Sequence, residues 1–199
     1  IGEYEKAVAI NQEAISSYTD SIAPPNIVIA YGEQANLYAE LGMYDRALQL
    51  NTKAQHYSLL KDSFGLGDLY RYRAAIFGQT GIKDSIFYYL NQAEKISALQ
   101  GSFKGVFVNK VTTVEAYLDY TDSVQKALTL ALSICPDSSR MPQWAKYELE
   151  LHLGRALLQT GKATQGIPLI EKAAQGFISM DMRSGKQKAN NILMDYYLS

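Results

Sequence analysis

The feature that most restricts this chain is a short unit that returns about every forty residues. The pattern Gly-x-(Tyr/Lys/Ala)-x-x-(Ala/Ile/Gly) occurs at Gly2-Glu3-Tyr4-Glu5-Lys6-Ala7, Gly42-Met43-Tyr44-Asp45-Arg46-Ala47, Gly81-Ile82-Lys83-Asp84-Ser85-Ile86 and Gly161-Lys162-Ala163-Thr164-Gln165-Gly166. A degenerate copy stands at Asp122-Ser123-Val124-Gln125-Lys126-Ala127, so the starts are 40, 39, 41 and 39 residues apart. Seven residues after each sixth position comes a further small or apolar residue: Ala14, Ala54, Ala93, Ile134 and Ala173. Seven residues are two helical turns, so each pair marks one face of one helix.

Such a period requires a supersecondary unit repeated in tandem, and the residue types make that unit a helical hairpin. Glycine suits a tight helix-to-helix turn because it accepts a positive φ without a Cβ clash. A small sixth residue lets the second helix approach the first closely. Before the turns, apolar residues recur at spacings of three and four: Tyr31, Ala35, Tyr38, Leu41; Tyr70, Ala74, Phe77; Val111, Val114, Leu118; and Leu149, Leu153, Ala156, Leu157. Those spacings give amphipathic first helices. Leu48, Leu50, Ala54 and Ile86, Leu90, Ala93 give the second helices the same character.

Between hairpins lie Ala23-Pro24-Pro25-Asn26, Lys61-Asp62-Ser63, Gln100-Gly101-Ser102 and Pro136-Asp137-Ser138-Ser139, with Pro142 after the last. Proline belongs in a helix's first turn, and Asp, Asn or Ser caps the next start. The pattern predicts helices near residues 3–19, 25–41, 44–60, 63–80, 83–99, 103–120, 122–134, 142–160, 163–179 and 184–198. The expectation is one helical domain over residues 1–199, with units near 1–22, 23–61, 62–101, 102–139, 140–180 and 181–199. The first and last of these are partial, which points to a segment of a longer polypeptide.

Composition narrows the functions. Apolar types make up 47% of the 199 residues and charged types 20%, which supports a packed core. With 19 Lys and Arg against 20 Asp and Glu, bulk charge offers no nucleic-acid or anionic-membrane surface. No apolar run is long enough to span a bilayer. The lone Cys135 excludes an intrachain disulfide framework.

The inventory for catalysis is thin. His56 and His152 have no His or Cys partner at helical metal spacing. Cys135 has no adjacent His to activate it. Gly154 with Gly161-Lys162 has the wrong spacing for a phosphate loop, and Ala163 replaces the needed hydroxyl. Gly65-Leu66-Gly67 lacks a third glycine and a preceding strand, so these glycines, like Gly154 and Gly161, read as helix-start and close-packing residues. Glu148 and Glu150 lie two apart and point to different helix faces. The expectation is a chain that is not an enzyme and needs no cofactor or metal.

The units resemble the tetratricopeptide repeat. Tyr31, Ala35, Tyr38, Gly42, Tyr44, Ala47 and Ala54 match its pattern closely, while Lys83, Ile86 and Gly166 match by position rather than type. The family's usual repeat is 34 residues. Units of 39 to 41 are similar to the extended repeats in sensory and regulatory portions of bacterial signalling proteins.

The resemblance implies an all-α solenoid of antiparallel hairpins, a right-handed superhelix whose concave wall is lined by first helices. Carried onto this sequence, the family's groove positions are Asn36 and Glu40 from one helix, and Arg71, Tyr72 and Gln79 from the next. Asn109 and Thr113 follow, then Glu148, His152 and Arg155. The implied partner is a protein or peptide held in that groove, on a scaffold or on the ligand-sensing input portion of a bacterial signalling or transcriptional regulator. Chaperone-tail binders in the family clamp a terminal carboxylate with Lys, Asn, Asn, Lys and Arg. Here Gly32, Asn36, Tyr72, Asn109 and Thr113 stand at those places, and only Asn36 agrees. The alternative is a structural solenoid with an empty groove, whose end helices pair with a second copy. Among the 15 tyrosines, Tyr4, Tyr31, Tyr38 and Tyr44 pack by repeat position, and one ring each of Tyr88-Tyr89 and Tyr196-Tyr197 is expected to be exposed.

Overall fold

The computed structural model describes residues 2–17, 25–60 and 63–198, with side chains from residues 6 and 26 onward in the first two stretches. Ala23-Pro24, Lys61-Asp62 and the Tyr4 ring, each given a role above, lie outside the described residues and side chains. Ten α-helices and no strand occur among the described residues. They are α1 (Gly2–Ser16), α2 (Pro25–Glu40), α3 (Tyr44–Leu59), α4 (Leu66–Thr80), α5 (Lys83–Leu99), α6 (Phe103–Tyr120), α7 (Val124–Ile134), α8 (Gln143–Gln159), α9 (Ala163–Ser179) and α10 (Arg183–Leu198). The fold is an all-α solenoid of tandem hairpins, with α2 packed on α3, α4 on α5 and α8 on α9.

The turns are built as the glycines predict. Gly42, Gly81 and Gly161 have φ of +75°, +76° and +76°. Around each, the chain closes with the paired hydrogen bonds of a left-handed helix terminus, as in Gly161 N–H to the Leu158 carbonyl and Lys162 N–H to the Leu157 carbonyl. The same closure ends α5 at Gly101 and α9 at Asp181, where φ is +65° and +53°. Two departures from the expected boundaries follow from backbone conformation. Ser63 (φ +62°) and Gly65 (φ +69°) are left-handed, which delays α4 to Leu66. Cys135–Arg140 forms a 3-10 helix with Pro136 in its first turn where a plain linker is expected. Of the expected side-chain caps, Ser102 serves: its hydroxyl accepts from Gly105 N–H at 3.1 Å.

The repeat's small positions sit at the helix seams. Ala47, Ala54, Ala93, Ala127 and Ala173 are fully buried, and Ile86 and Ile134 nearly so. At the α8/α9 seam a glycine meets a glycine: a Cβ on Gly166 would lie 2.6 Å from the Gly154 carbonyl oxygen. Hence the sixth position there has no room for the family's alanine.

The chain contains two compact units, Ile1–Gly105 and Val106–Ser199. In unit 1, Ile27, Val28, Ala54 and Leu69 form one core with Tyr31, Tyr57 and Tyr72 against it. A second gathers Tyr38, Ala39, Ala47 and Ile76. In unit 2, α6, α7 and α8 share a core that includes Val114, Ala131, Leu149 and Ala156. Leu151, Ile170, Ala173, Phe177 and Ala189 form the other, joining α8, α9 and α10.

Candidate functional site

In unit 1 the first halves of α2 and α4, with the segments that lead into α4 and α6, enclose a half-open pocket of about 760 Å³. That size is in the range of ligand sites in proteins. Its existence depends on missing side chains. A Cβ on Gly32 would lie 2.9 Å from Leu69 Cδ2, and one on Gly67 or Gly105 would lie 2.7 Å from Ser97 Oγ. Bare backbone at these places therefore lets α2, α4, α5 and the start of α6 converge around a space. Val28, Leu69 and Tyr72 supply apolar wall, and Ile29 and Phe64 are apolar lining residues that remain 45% and 44% exposed. Gln100 Nε2 donates to the Ser63 carbonyl at 2.7 Å, tying together two linkers that carry lining residues.

The pocket's charge has one sign. Among the described residues Glu33 and Asp68 line it, and no Lys, Arg or His does. Asp68 Oδ1 accepts from Arg71 Nη2 at 3.0 Å while 63% exposed. Arg71 also lies over the Tyr72 ring, 4.9 Å from its centroid. Arg71 and Tyr72, both assigned to the groove from sequence, are thus joined, and Tyr72 lines the pocket. Asn36 is half-buried, and Glu40 and Gln79 are exposed on α2 and α4. The pocket itself is not legible from the repeat pattern. Of Gly32, Gly67 and Gly105, the sequence marks Gly67 alone, as a close-packing glycine.

In unit 2 the first-helix face carries a closed ionic network instead. Lys188 on α10 reaches past α8 to Glu115 on α6, with Nζ donating to Oε1 at 2.7 Å. Arg155 on α8 is bonded to the Asp119 carboxylate. His152 is 3% exposed, with Nε2 3.6 Å from a Glu148 oxygen and 3.9 Å from a Glu115 oxygen. Burial alone would raise the Glu115 pKa, but the charges of His152, Lys188 and Arg155 and the Lys188 hydrogen bond outweigh it, so the carboxyl sits below its usual value. Burial would likewise lower Lys188, but the Glu115 charge and hydrogen bond, with Glu148 and Asp119, hold it above the ordinary lysine value. Burial, then the charges of Asp119 and Glu115, raises the Tyr120 hydroxyl.

The sequence-assigned groove residues of unit 2 are therefore largely engaged within the fold. Asn109 is 2% exposed, and the Thr113 hydroxyl donates to its carbonyl at 2.9 Å. His152 is in the interior, while Glu148 and Arg155 belong to the network. Glu115, Asp119 and Lys188 were missed because a repeat template does not say which polar groups neighbouring first helices bring together.

His56 is exposed, edge-on to the Tyr57 ring. Cys135 is a half-buried thiol donating to the Ala131 carbonyl; burial and then the Glu150 charge raise its pKa. Among the described residues no three His, Cys, Asp or Glu side chains group to hold a metal, and no helix is long and apolar enough to cross a membrane.

The fold and this face define a helical-repeat protein of the all-α class. No family model and no curated protein matches the sequence. Among solved structures the chain is similar to BtubC (BKLC) from P. vanneervenii, with a TM-score of 0.65 and 18% identity over 90% of this chain and 75% of that one. At that identity the likeness shows the fold.

Proposed function

We propose that the chain is a binding module of the tetratricopeptide type, which takes a segment of a partner protein on its first-helix face and serves as a scaffold or as the input portion of a bacterial signalling or transcriptional regulator. The observation that carries this reading is the half-open, mostly apolar pocket of about 760 Å³ between α2 and α4, with Ile29 and Phe64 left exposed in its lining. Exposed apolar groups gathered at one place mark sites of protein recognition. No catalytic grouping among the described residues competes with it: the buried His152 faces structural carboxylates, and Cys135 has burial and a nearby carboxylate holding its proton.

A random-peptide display selection on the intact chain tests the proposal. Selected peptides are expected to lose binding to Glu40→Arg and Gln79→Arg, on the exposed first-helix face, and to keep it with Gln49→Lys and Lys95→Glu on second helices. Peptides that depend only on the second-helix positions, or a selection that enriches nothing, would sink the reading. The oligomerising alternative draws on α10, where Met194, Tyr197 and Leu198 are 54%, 65% and 80% exposed. Sedimentation equilibrium decides it, since a dimer abolished by Tyr197→Ser would favour that alternative.

A further inference from the structure

Resting on the binding-module reading, we propose that the unit 1 pocket recognises a basic, apolar-anchored segment: a Leu- or Phe-like side chain enters over Gly32 and Gly67, and an adjacent Lys or Arg lies against Glu33 and Asp68. The apolar half of the claim follows from shape. Three absent side chains open the space, and Val28, Leu69 and Tyr72 form its apolar wall, with Ser97, Gln100 and Ser102 on the polar side. A buried aliphatic or aromatic anchor gains from leaving water there.

The charge half follows from sign. Two carboxylates and no cation line the pocket among the described residues. Within the same residues α2 carries Glu33 and Glu40 and no Lys or Arg, and Glu33 makes no ion pair. Asp68 is itself exposed and is held by one arginine of its own helix, which leaves carboxylate oxygen free for a second cation. An anion is disfavoured here even though α4 and α6 both begin nearby, because Asp68 occupies the first turn of α4 and Ser102 already takes the Gly105 N–H. A segment of chain suits this pocket better than a free amine: the charge sites stand on the rim, and the exposed Ile29 and Phe64 extend the apolar contact beyond one side chain.

The test uses fluorescein-labelled, C-terminally amidated Leu-Lys-Leu-Lys titrated into the whole chain, with Leu-Glu-Leu-Glu and Ser-Lys-Ser-Lys as counterparts and n-butylamine as a competitor. The first peptide is expected to bind and both counterparts to bind at least about tenfold more weakly. Gly32→Leu, which adds a side chain against Leu69 Cδ2 at the pocket wall, is expected to weaken the first peptide about tenfold. Ile29→Asp, at an exposed position, repeats that loss if Gly32→Leu fails the circular-dichroism check. Glu33→Gln is expected to cost about two- to fivefold, the size of one exposed ion pair. Equal binding of either counterpart, indifference to Gly32→Leu and Ile29→Asp, or displacement by n-butylamine at the peptide's own concentration would each overturn the proposal. Display-selected peptides that depend on Glu40 and Gln79 but ignore Gly32 and Glu33 would overturn the pocket while leaving the binding module standing.

Discussion

Lys188 and Glu115 show how much a single pair of side chains can organise on this fold. Their hydrogen bond joins α10 to α6 past α8, and the buried His152 stands 3.9 Å from the same Glu115 oxygen. The pair predicts a pH profile. Glu115 is depressed on folding, so its contribution is complete above the unfolded value of about 4.3 and disappears as pH falls through its lower folded value. Lys188 is raised on folding, so its contribution is complete below about 10.4 and is lost as pH climbs through its higher folded value. Thermal melting of the wild type should form a plateau between those limits. Lys188→Met should lower that plateau by no more than about 1 kcal/mol, because the lysine is half-exposed, and should shrink the fall on the acid side. An unchanged acid limb would mean that Glu115 draws its low pKa from elsewhere.

At the scale of helices, two kinds of glycine act through different physics, and they can be separated. Gly42 has φ +75° and nothing within 4 Å of the place a methyl would take, so only backbone conformation resists a side chain there. Gly42→Ala is expected to cost about 1 kcal/mol, with Gly42→Asn milder and Gly42→Val worse. Gly154 has ordinary helical backbone but no space, since its Cβ would meet the Gly166 carbonyl at 2.8 Å and Ile170 at 2.6 Å. Gly154→Ala should cost about 1–3 kcal/mol by forcing α8 from α9, and asparagine should give no relief. Chemical denaturation of these variants reads both effects. The turn glycines were legible because they recur at one repeat position. Gly67 was legible as a close-packing glycine, but Gly32 and Gly105 were not, since each lies outside the repeated motif and matters only through a neighbour on another helix.

At the scale of the whole molecule, tandem packing makes stability local. Phe177 is fully buried, with the Tyr147 ring edge-on at a centroid distance of 6.0 Å and Gly185 pressed against it. Phe177→Ala should cost about 3–5 kcal/mol. Because packing in a tandem helical array is mainly between neighbouring units, hydrogen exchange should show lost protection concentrated in α8, α9 and α10, with α2 to α5 much less affected. Uniform loss along the chain would contradict that nearest-neighbour picture. The tyrosine pairs show where sequence reasoning stops: Tyr88 is 57% exposed and Tyr89 packs on Phe77 as the alternation of faces predicts, yet Tyr196 and Tyr197 are both exposed at 38% and 65%. Sequence by itself determined the helices, their turns and the small residues at the seams, because a period of two helical turns and a left-handed glycine are local properties that repeat. Only the tertiary structure decided that His152 is interior, that Lys188 meets Glu115, and that three unrelated glycines open one pocket. Those outcomes depend on which faces of separate helices come together, and a one-dimensional pattern does not carry that information.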